Sequence, residues 1–366
     1  MSKLVSKEAN VLIEHYLSEI ESEFYFYALD DEYDIEDSVT RLQNYIHDNQ
    51  SDWSESSIIA FGVQSAYADM SEKLFSEAVF HLISNNEKKN YNARFIESTY
   101  YAYLEYDFVK QMNECCKNNE SKFIVGNKNK SFRLDFSSIC QYLSQLVISK
   151  WWQEANEVGG DILNSINYCN DETFEVTTEG RKYNPISWFV VDLFVLFSEG
   201  WYVEKNAKHP GKKSYQVYQK VLDNWDSKDL VEVDQLVYLL CESHLLEIEN
   251  KNIIDRNMDS ILDNSGEGAI AEIVSLAQGN TDTDDFMPRD ISHLSVYLFP
   301  YEILTWLSLR EKRGLRNPET FSHPLMNQPL VSSISLESNE KPFLPYAQKI
   351  LERGRLDICR DVTFPA

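Results

Sequence analysis

Residues 136–160 read FSSICQYLSQLVISKWWQEANEVGG, and this stretch decides the fold class. Its apolar side chains return every three or four residues, which is the spacing of one face of an α-helix. This apolar face consists of Ile139, Tyr142, Leu143, Leu146, Val147, Trp151 and Ala155. We therefore predict one helix from Phe136 to Val158, ended by the pair Gly159-Gly160.

The same periodicity recurs along most of the chain. It predicts helices over 4–29, 91–116, 185–201, 214–222, 230–248, 252–263 and 294–313, among others, with a polar joint Asp-Ser-Lys-Asp between 222 and 230. Pro300 kinks or starts the last of these helices, and Gly314 ends it. Only 12 Gly and 10 Pro occur in 366 residues, so turns are few and elements are long. The sequence therefore predicts an all-α protein, a multi-helix globular array or bundle, with room for small β-hairpins at 117–133 and 171–184.

A polar segment at 171–184 divides the chain into two predicted halves. The N-terminal helical subdomain spans 1–170 and the C-terminal helical subdomain spans 185–366. Proline becomes frequent beyond Asn317, at positions 318, 324, 329, 342, 345 and 365. We expect this end of the second subdomain to form an irregular strap across its core.

The charge is strongly acidic and unevenly distributed. The formal net charge is −25, with 4 Lys and Arg against 18 Asp and Glu in residues 1–87 and 12 against 29 in residues 134–309. Residues 88–133 instead hold 9 basic against 5 acidic side chains. Two acidic blocks of this kind repel nucleic acid and anionic membranes and attract basic proteins. We expect a protein partner, with neither nucleic acid nor a membrane bound.

Cysteine usage and the N-terminal residues favour the cytoplasm. The six Cys form no CxxC pair, and two of them are adjacent at 115 and 116, which suits reduced thiols better than disulfides. The first ten residues lack the apolar run of a signal peptide. The most apolar run, Ile186 to Phe197, carries Asp192 and is too short to span a bilayer.

Short motifs of enzymes are missing from the sequence. GxSxG, GxxxxGK[ST], GxGxxG and HExxH do not occur, so we predict no catalytic residue, no cofactor and no enzymatic activity. Cys241 and His244 stand three residues apart on one helix face, which is half of a zinc site. No further ligands lie nearby in the sequence, so a hydrogen-bonded histidine in the core is the favoured interpretation, and no metal is expected.

Two acidic loops are the candidate partner-binding sites. They consist of Asp30, Asp31, Glu32, Asp34, Glu36 and Asp37 in the first acidic block and of Asp282, Asp284 and Asp285 in the second. The second loop resembles the start of a calcium loop but lacks its Gly and its bidentate Glu, so a solvated loop is favoured. Five aromatic side chains from Tyr100 to Phe108 cannot all face inward on one helix, which leaves either an exposed aromatic interface or an internal helix contact.

The C-terminal part resembles a known class of proteins. Residues 298–318 read LFPYEILTWLSLREKRGLRNP, and residues 323–330 read HPLMNQPL. The elements Pro-Tyr-Glu, Arg-x-x-x-Gly and His-Pro-Leu-Met resemble the C-terminal signature of helical immunity proteins from bacterial polymorphic-toxin systems, such as Rhs and type VI secretion effectors. The resemblance implies a cytosolic antidote that binds its cognate toxin and blocks it without catalysis. The contact residues of that family vary with the toxin, so none is carried over to this chain.

Three functions stay open at the level of sequence. The leading hypothesis is an immunity protein that neutralises a basic toxin domain by binding it. A helical scaffold or regulatory adaptor that binds peptides or proteins is the alternative. An enzyme with a buried helical site and no short motif is a third.

Overall fold

The structure is a computed structural model that describes residues 9–16, 18, 64, 67–68, 70–79, 88–118, 134, 136–168, 185–197, 213–263 and 296–327. Within these residues the chain is helical and no β-strand occurs, which confirms the predicted all-α class. The two predicted hairpins lie outside the described residues, except for 117 and 118, which continue a helix. No helix in the described part of the chain is both long and apolar enough to cross a membrane.

Seven α-helices have defined bounds in the described residues. They are α1 Lys88–Asn118, α2 Phe136–Ile148, α3 Trp152–Tyr168, α4 Pro185–Phe197, α5 Lys213–Asp223, α6 Leu230–Asp263 and α7 Tyr301–Lys312. A short 3₁₀-helix, Pro324–Asn327, follows α7. The two helices predicted at 230–248 and 252–263 are one continuous helix, α6, so the break predicted between them is wrong.

The chain forms two compact units. The first consists of Met1–Glu19 and Val176–Ser332 and holds α4 to α7; the second consists of Ile20–Glu175 and Ser333–Ala366 and holds α1 to α3. In the first unit α4 packs against α5 and α7, and α6 packs against the same two helices. In the second unit α2 packs against α1 and against α3. The predicted boundary at 171–184 lies outside the described residues, so the division into subdomains 1–170 and 185–366 stays a prediction.

The single helix predicted over 136–158 is wrong, because the segment belongs to two helices, α2 and α3. Lys150 adopts a left-handed φ of 60°. Its N–H donates to Val147 O at 3.1 Å, and the N–H of Trp151 donates to Leu146 O at 2.9 Å. These two bonds form a Schellman cap that ends α2. Gly159 and Gly160 lie inside α3, which continues to Tyr168, so the prediction that this pair ends a helix is also wrong.

The two ends of α7 lie at residues that the sequence predicts as helix boundaries. The helix begins at Tyr301, directly after Pro300, so of the two predicted roles of Pro300 the structure shows the start of the helix, and residues 296–300 are not part of it. Proline has no N–H to donate and precedes a helix without cost. Gly314 has a φ of 73°; its N–H donates to Glu311 O at 2.8 Å, and the N–H of Leu315 donates to Arg310 O at 2.9 Å. This second Schellman cap confirms that Gly314 terminates the helix.

Candidate partner-binding surface

The acidic residues predicted to bind a partner lie outside the described residues. This holds for Asp30, Asp31, Glu32, Asp34, Glu36 and Asp37 and for Asp282, Asp284 and Asp285. They stay predictions. The described part of the second acidic block offers a different candidate, which is the turn between α5 and α6.

This turn presents carboxylates on an ordered backbone. Residues 223–232 read DNWDSKDLVE and carry four acidic side chains against one lysine. Asp223, Asp226 and Asp229 are exposed, and Val231 beside them is 66% exposed. We call residues 223–232 the acidic turn.

Local hydrogen bonds hold the acidic turn in one conformation. The N–H of Val231 donates to Asp229 Oδ1 at 2.9 Å, so Asp229 caps the N-terminus of α6. The hydroxyl of Ser227 donates to Glu232 Oε2 at 2.6 Å, and its backbone N–H donates to Asn224 O at 3.1 Å. These bonds join five of the ten residues of the turn to one another.

A buried arginine on α7, Arg310, donates hydrogen bonds to the backbone of the acidic turn. Arg310 Nη1 donates to Trp225 O at 2.8 Å, and Nη2 donates to Ser227 O at 2.8 Å and to Arg316 O at 2.9 Å. Its Nε donates to Asn317 Oδ1 at 2.9 Å. One guanidinium thus joins the acidic turn to the residues that follow α7, and the planar fork of arginine suits several fixed acceptors at once.

Arg310 stays charged although its surroundings lower its pKa. The side chain is fully buried, and burial lowers the pKa of its guanidinium, while the carboxylate of Asp226 acts in the opposite direction. The ordinary pKa of arginine is so high that the group stays protonated. The indole Nε1 of Trp306 also donates to Trp225 O, at 3.1 Å, and the guanidinium lies 5.5 Å from the Trp306 ring. The turn is therefore clamped by two side chains of α7.

A second buried group in the same unit is a histidine paired with a carboxylate. His244 Nδ1 lies 2.8 Å from Glu302 Oε1, and Nε2 lies 2.9 Å from Tyr297 O. Both side chains are fully buried. A carbonyl oxygen only accepts, so Nε2 carries a proton and donates to it. This confirms the prediction that His244 is a hydrogen-bonded core histidine.

The pKa values of His244 and of the neighbouring Cys241 are both shifted. Burial acts to lower the pKa of His244, but the Glu302 carboxylate and the hydrogen bonds outweigh it and raise that pKa above its usual value. Burial, followed by the charges of Glu302, Glu242 and Asp234, raises the pKa of the Cys241 thiol well above its usual value. A buried thiol of this kind is unreactive. No group of three or more His, Cys, Asp or Glu able to hold a metal occurs among the described residues.

In the second unit, α1 and α3 are joined by tyrosines and carboxylates. Tyr103 donates to Glu157 Oε2 at 3.1 Å, and Tyr106 donates to Asp161 Oδ2 at 2.5 Å. Lys110 Nζ lies 2.9 Å from Glu157 Oε1 and 3.0 Å from Asp161 Oδ2. Among the aromatic residues of α1, Tyr101, Tyr106 and Phe108 are buried, and Tyr100 and Tyr103 are half-buried. This segment therefore forms an internal helix contact and not an exposed aromatic interface.

Comparison of the chain with protein-family models, with curated proteins and with solved structures finds no match. A function for the acidic turn is therefore inferred from the residues of this chain alone.

The residues that build this surface had little signal in the sequence. The turn was visible only as a polar joint, Asp-Ser-Lys-Asp, between two predicted helices. Glu302, Arg310 and Gly314 belong to the Pro-Tyr-Glu and Arg-x-x-x-Gly elements on which the resemblance rests. Those elements could have pointed to a buried polar network, because a charged residue inside an otherwise apolar helix needs a partner.

Proposed function

We propose that this chain is an immunity protein that binds and neutralises a cognate bacterial toxin domain with a basic surface, in the cytoplasm and without catalysis. The observation that carries the proposal is the acidic turn, where four carboxylates and one lysine stand on a backbone held by Arg310. The formal net charge of −25, which lies mainly in residues 1–87 and 134–309, adds to the attraction of a basic partner.

A turn held in one conformation suits the binding of another protein. A partner that meets an ordered loop loses less conformational entropy than one that must order it first. Exposed carboxylates speed the encounter with a basic partner and fix its orientation. Val231 and the half-buried Trp225 add apolar surface between the carboxylates, as in an interface with an apolar centre and a charged rim.

The resemblance to immunity proteins supports the same proposal. Its Arg-x-x-x-Gly element holds Arg310, whose side chain clamps the acidic turn, and Gly314, which ends α7. In this chain the element has an architectural role, and the surface it supports is the one offered to the partner. A family whose contact residues vary with the toxin is expected to keep such a scaffold and change the exposed side chains.

Co-expression tests this proposal. The toxin domain used is the one encoded next to the gene of this chain, produced from an inducible promoter. We expect cells that also produce this chain to grow at the rate of cells without toxin, and the two proteins to copurify at 50 mM NaCl. Growth arrest despite a stable, soluble level of this chain contradicts the proposal.

Salt dependence separates the proposed mechanism from a general scaffold function. Screening of exposed charges increases as the Debye length falls from roughly 14 Å at 50 mM salt to less than half of that at 500 mM. We expect the affinity for the toxin domain to fall across this range because of the charges on the acidic turn. An affinity that does not change with salt contradicts binding by electrostatic complementarity.

A further inference from the structure

The segment after α7 is fastened along one face of α6. Asp234, Tyr238 and Glu242 are spaced four residues apart and so lie on one side of this helix. The N–H of Ser322 donates to Asp234 Oδ1 at 2.8 Å, the ring of His323 stands edge-on to Tyr238 at 4.9 Å, and His323 Nε2 lies 3.0 Å from Glu242 Oε1. We call residues 321–327 the latch segment.

The two ring nitrogens of His323 have different partners. The N–H of Leu325 donates to Nδ1 at 3.1 Å, so Nδ1 is unprotonated and accepts. The proton of the neutral ring then lies on Nε2, which donates to the carboxylate of Glu242. The latch segment therefore depends on the neutral form of a histidine that is fully buried.

We propose that His323 is an acid-labile latch, and that a proton on its Nδ1 releases the latch segment from α6. The added proton places an N–H donor against the N–H donor of Leu325, so that bond is lost. The charge also has to be held in a buried site, near the imidazole of His244, which is itself paired with Glu302. Release uncovers Leu325 and Met326, which are 0% and 3% exposed in the closed form.

One interaction opposes release, and its size decides the outcome. A protonated His323 is attracted more strongly to Glu242, but that carboxylate is 33% exposed and is screened by water. Asp234 is occupied by the N–H of Ser322, and Tyr238 is uncharged near neutral pH. Burial, followed by the charge of His244, lowers the pKa of His323 from 6.5 to about 4, so the unfavourable effects are the larger ones.

The pH dependence of release follows from the difference between open and closed forms. An exposed His323 in the open segment takes up a proton near pH 6.5, whereas the closed form does so only near pH 4. Acidification from pH 7 to pH 5 therefore increases the open fraction about 20-fold.

Hydrogen exchange of the full-length protein, followed residue by residue by NMR, tests the latch. After correction for the intrinsic pH dependence of exchange, we expect the protection of the Leu325 and Met326 amides to fall about 20-fold from pH 7 to pH 5. Amides in the middle of α7 are expected to keep their protection. Unchanged protection at Leu325, or an equal loss across α7, overturns the proposal.

Two variants assign the effect to His323. His323→Gln keeps a side-chain N–H for Glu242 but takes up no proton, so the pH dependence at Met326 is expected to disappear. Glu242→Gln removes a carboxylate that favours protonated His323 in the closed form, so acid is expected to release the segment more readily, at a higher pH than in the wild type. Wild-type pH dependence in both variants contradicts the role of His323.

Discussion

Arg310 in the first unit and Lys110 in the second are both cations that join two helical segments, but they do so by different physical means. Arg310 is fully buried and donates to three backbone carbonyls and an amide oxygen. The Lys110 side chain is 34% exposed and lies between the carboxylates of Glu157 and Asp161. The first contact depends on geometry and the second on charge.

The pKa directions of the two residues express this difference. Burial lowers the pKa of Arg310, since neutral carbonyls compensate only part of the lost hydration. At Lys110 burial acts in the same direction, but Glu157 and Asp161 outweigh it and raise the pKa. A cation held by neutral acceptors is specific for its position, because its removal leaves those acceptors buried and unsatisfied. We therefore expect substitution of Arg310 to lower the stability of the protein much more than substitution of Lys110.

The largest expected effect is that of Arg310→Leu. The change leaves the carbonyls of Trp225, Ser227 and Arg316 without this donor, and we expect the free energy of unfolding to fall by about 3–5 kcal/mol. Urea denaturation followed by circular dichroism measures it. Arg316→Leu is the matched control, since the Arg316 side chain is exposed, and we expect it to change stability by less than about 0.5 kcal/mol. Equal losses of stability in Arg310→Leu and Arg316→Leu would contradict the role assigned to the buried hydrogen bonds of Arg310.

Glu302→Gln tests the buried ion pair of the first unit. In the wild type His244 has a raised pKa, so its contribution to stability is fully present below the unfolded pKa near 6.5 and is lost as pH rises through the folded pKa. Without the carboxylate, burial dominates and the pKa of His244 is expected to fall below 6.5. We expect a loss of about 1–3 kcal/mol at pH 6 and a smaller one at pH 8. NMR titration of the His244 ring checks the pKa, and a value that stays above 6.5 in the variant would contradict this assignment.

The two Schellman caps, one in each unit, give a smaller and opposite pair of effects. Lys150 adopts its left-handed φ against the preference of an L-residue, and Gly314 does so freely. We expect Lys150→Gly to stabilise the protein by about 0.5–1 kcal/mol and Gly314→Ala to destabilise it by about 1 kcal/mol. No atom lies within 4 Å of a Cβ built on Gly314, so its loss measures backbone strain alone.

Lys150→Ala is the control for the first cap, because it removes the lysine side chain and keeps the strain. We expect it to change thermal stability by less than half as much as Lys150→Gly. Equal stabilisation by Ala and Gly would show that the side chain, not the backbone conformation, is the cause.

The smallest effect is expected for Lys110→Gln. Exposed ion pairs contribute little, so we expect a loss of about 0.5 kcal/mol at 50 mM NaCl that shrinks at 500 mM. Thermal unfolding at the two salt concentrations measures it. A loss comparable to that of Arg310→Leu would mean that charge, too, can hold two helices in a fixed position.

Much of the secondary structure was predictable, because it depends on local periodicity and on caps. Gly314 was recognised as a helix end from its residue type, whereas Lys150 was missed because lysine carries no signal for a left-handed conformation. The buried location of His244 was also predicted. Its partner Glu302 was not, since the two residues are 58 positions apart and no local pattern connects them.

The same limit applies to the candidate surface. Arg310 meets the acidic turn across 85 positions of sequence, and the turn itself resembles any polar joint between helices. Acidic side chains are denser along the sequence at 30–37 and 282–285 than at 223–232. Density of charge says nothing about whether the backbone below is held in place, and that property becomes visible only in the fold.

The affinity of the toxin domain for the double variant Asp226→Asn, Asp229→Asn is the most direct measurement of the proposed function. Asn caps a helix as well as Asp does, so these changes remove charge and keep the acidic turn folded. The control Glu14→Gln, Glu72→Gln removes two exposed charges elsewhere. By calorimetry at 50 mM NaCl we expect the first variant to bind about tenfold more weakly than wild type and the control to bind like wild type. Equal affinities of the two variants would contradict the acidic turn as the binding surface.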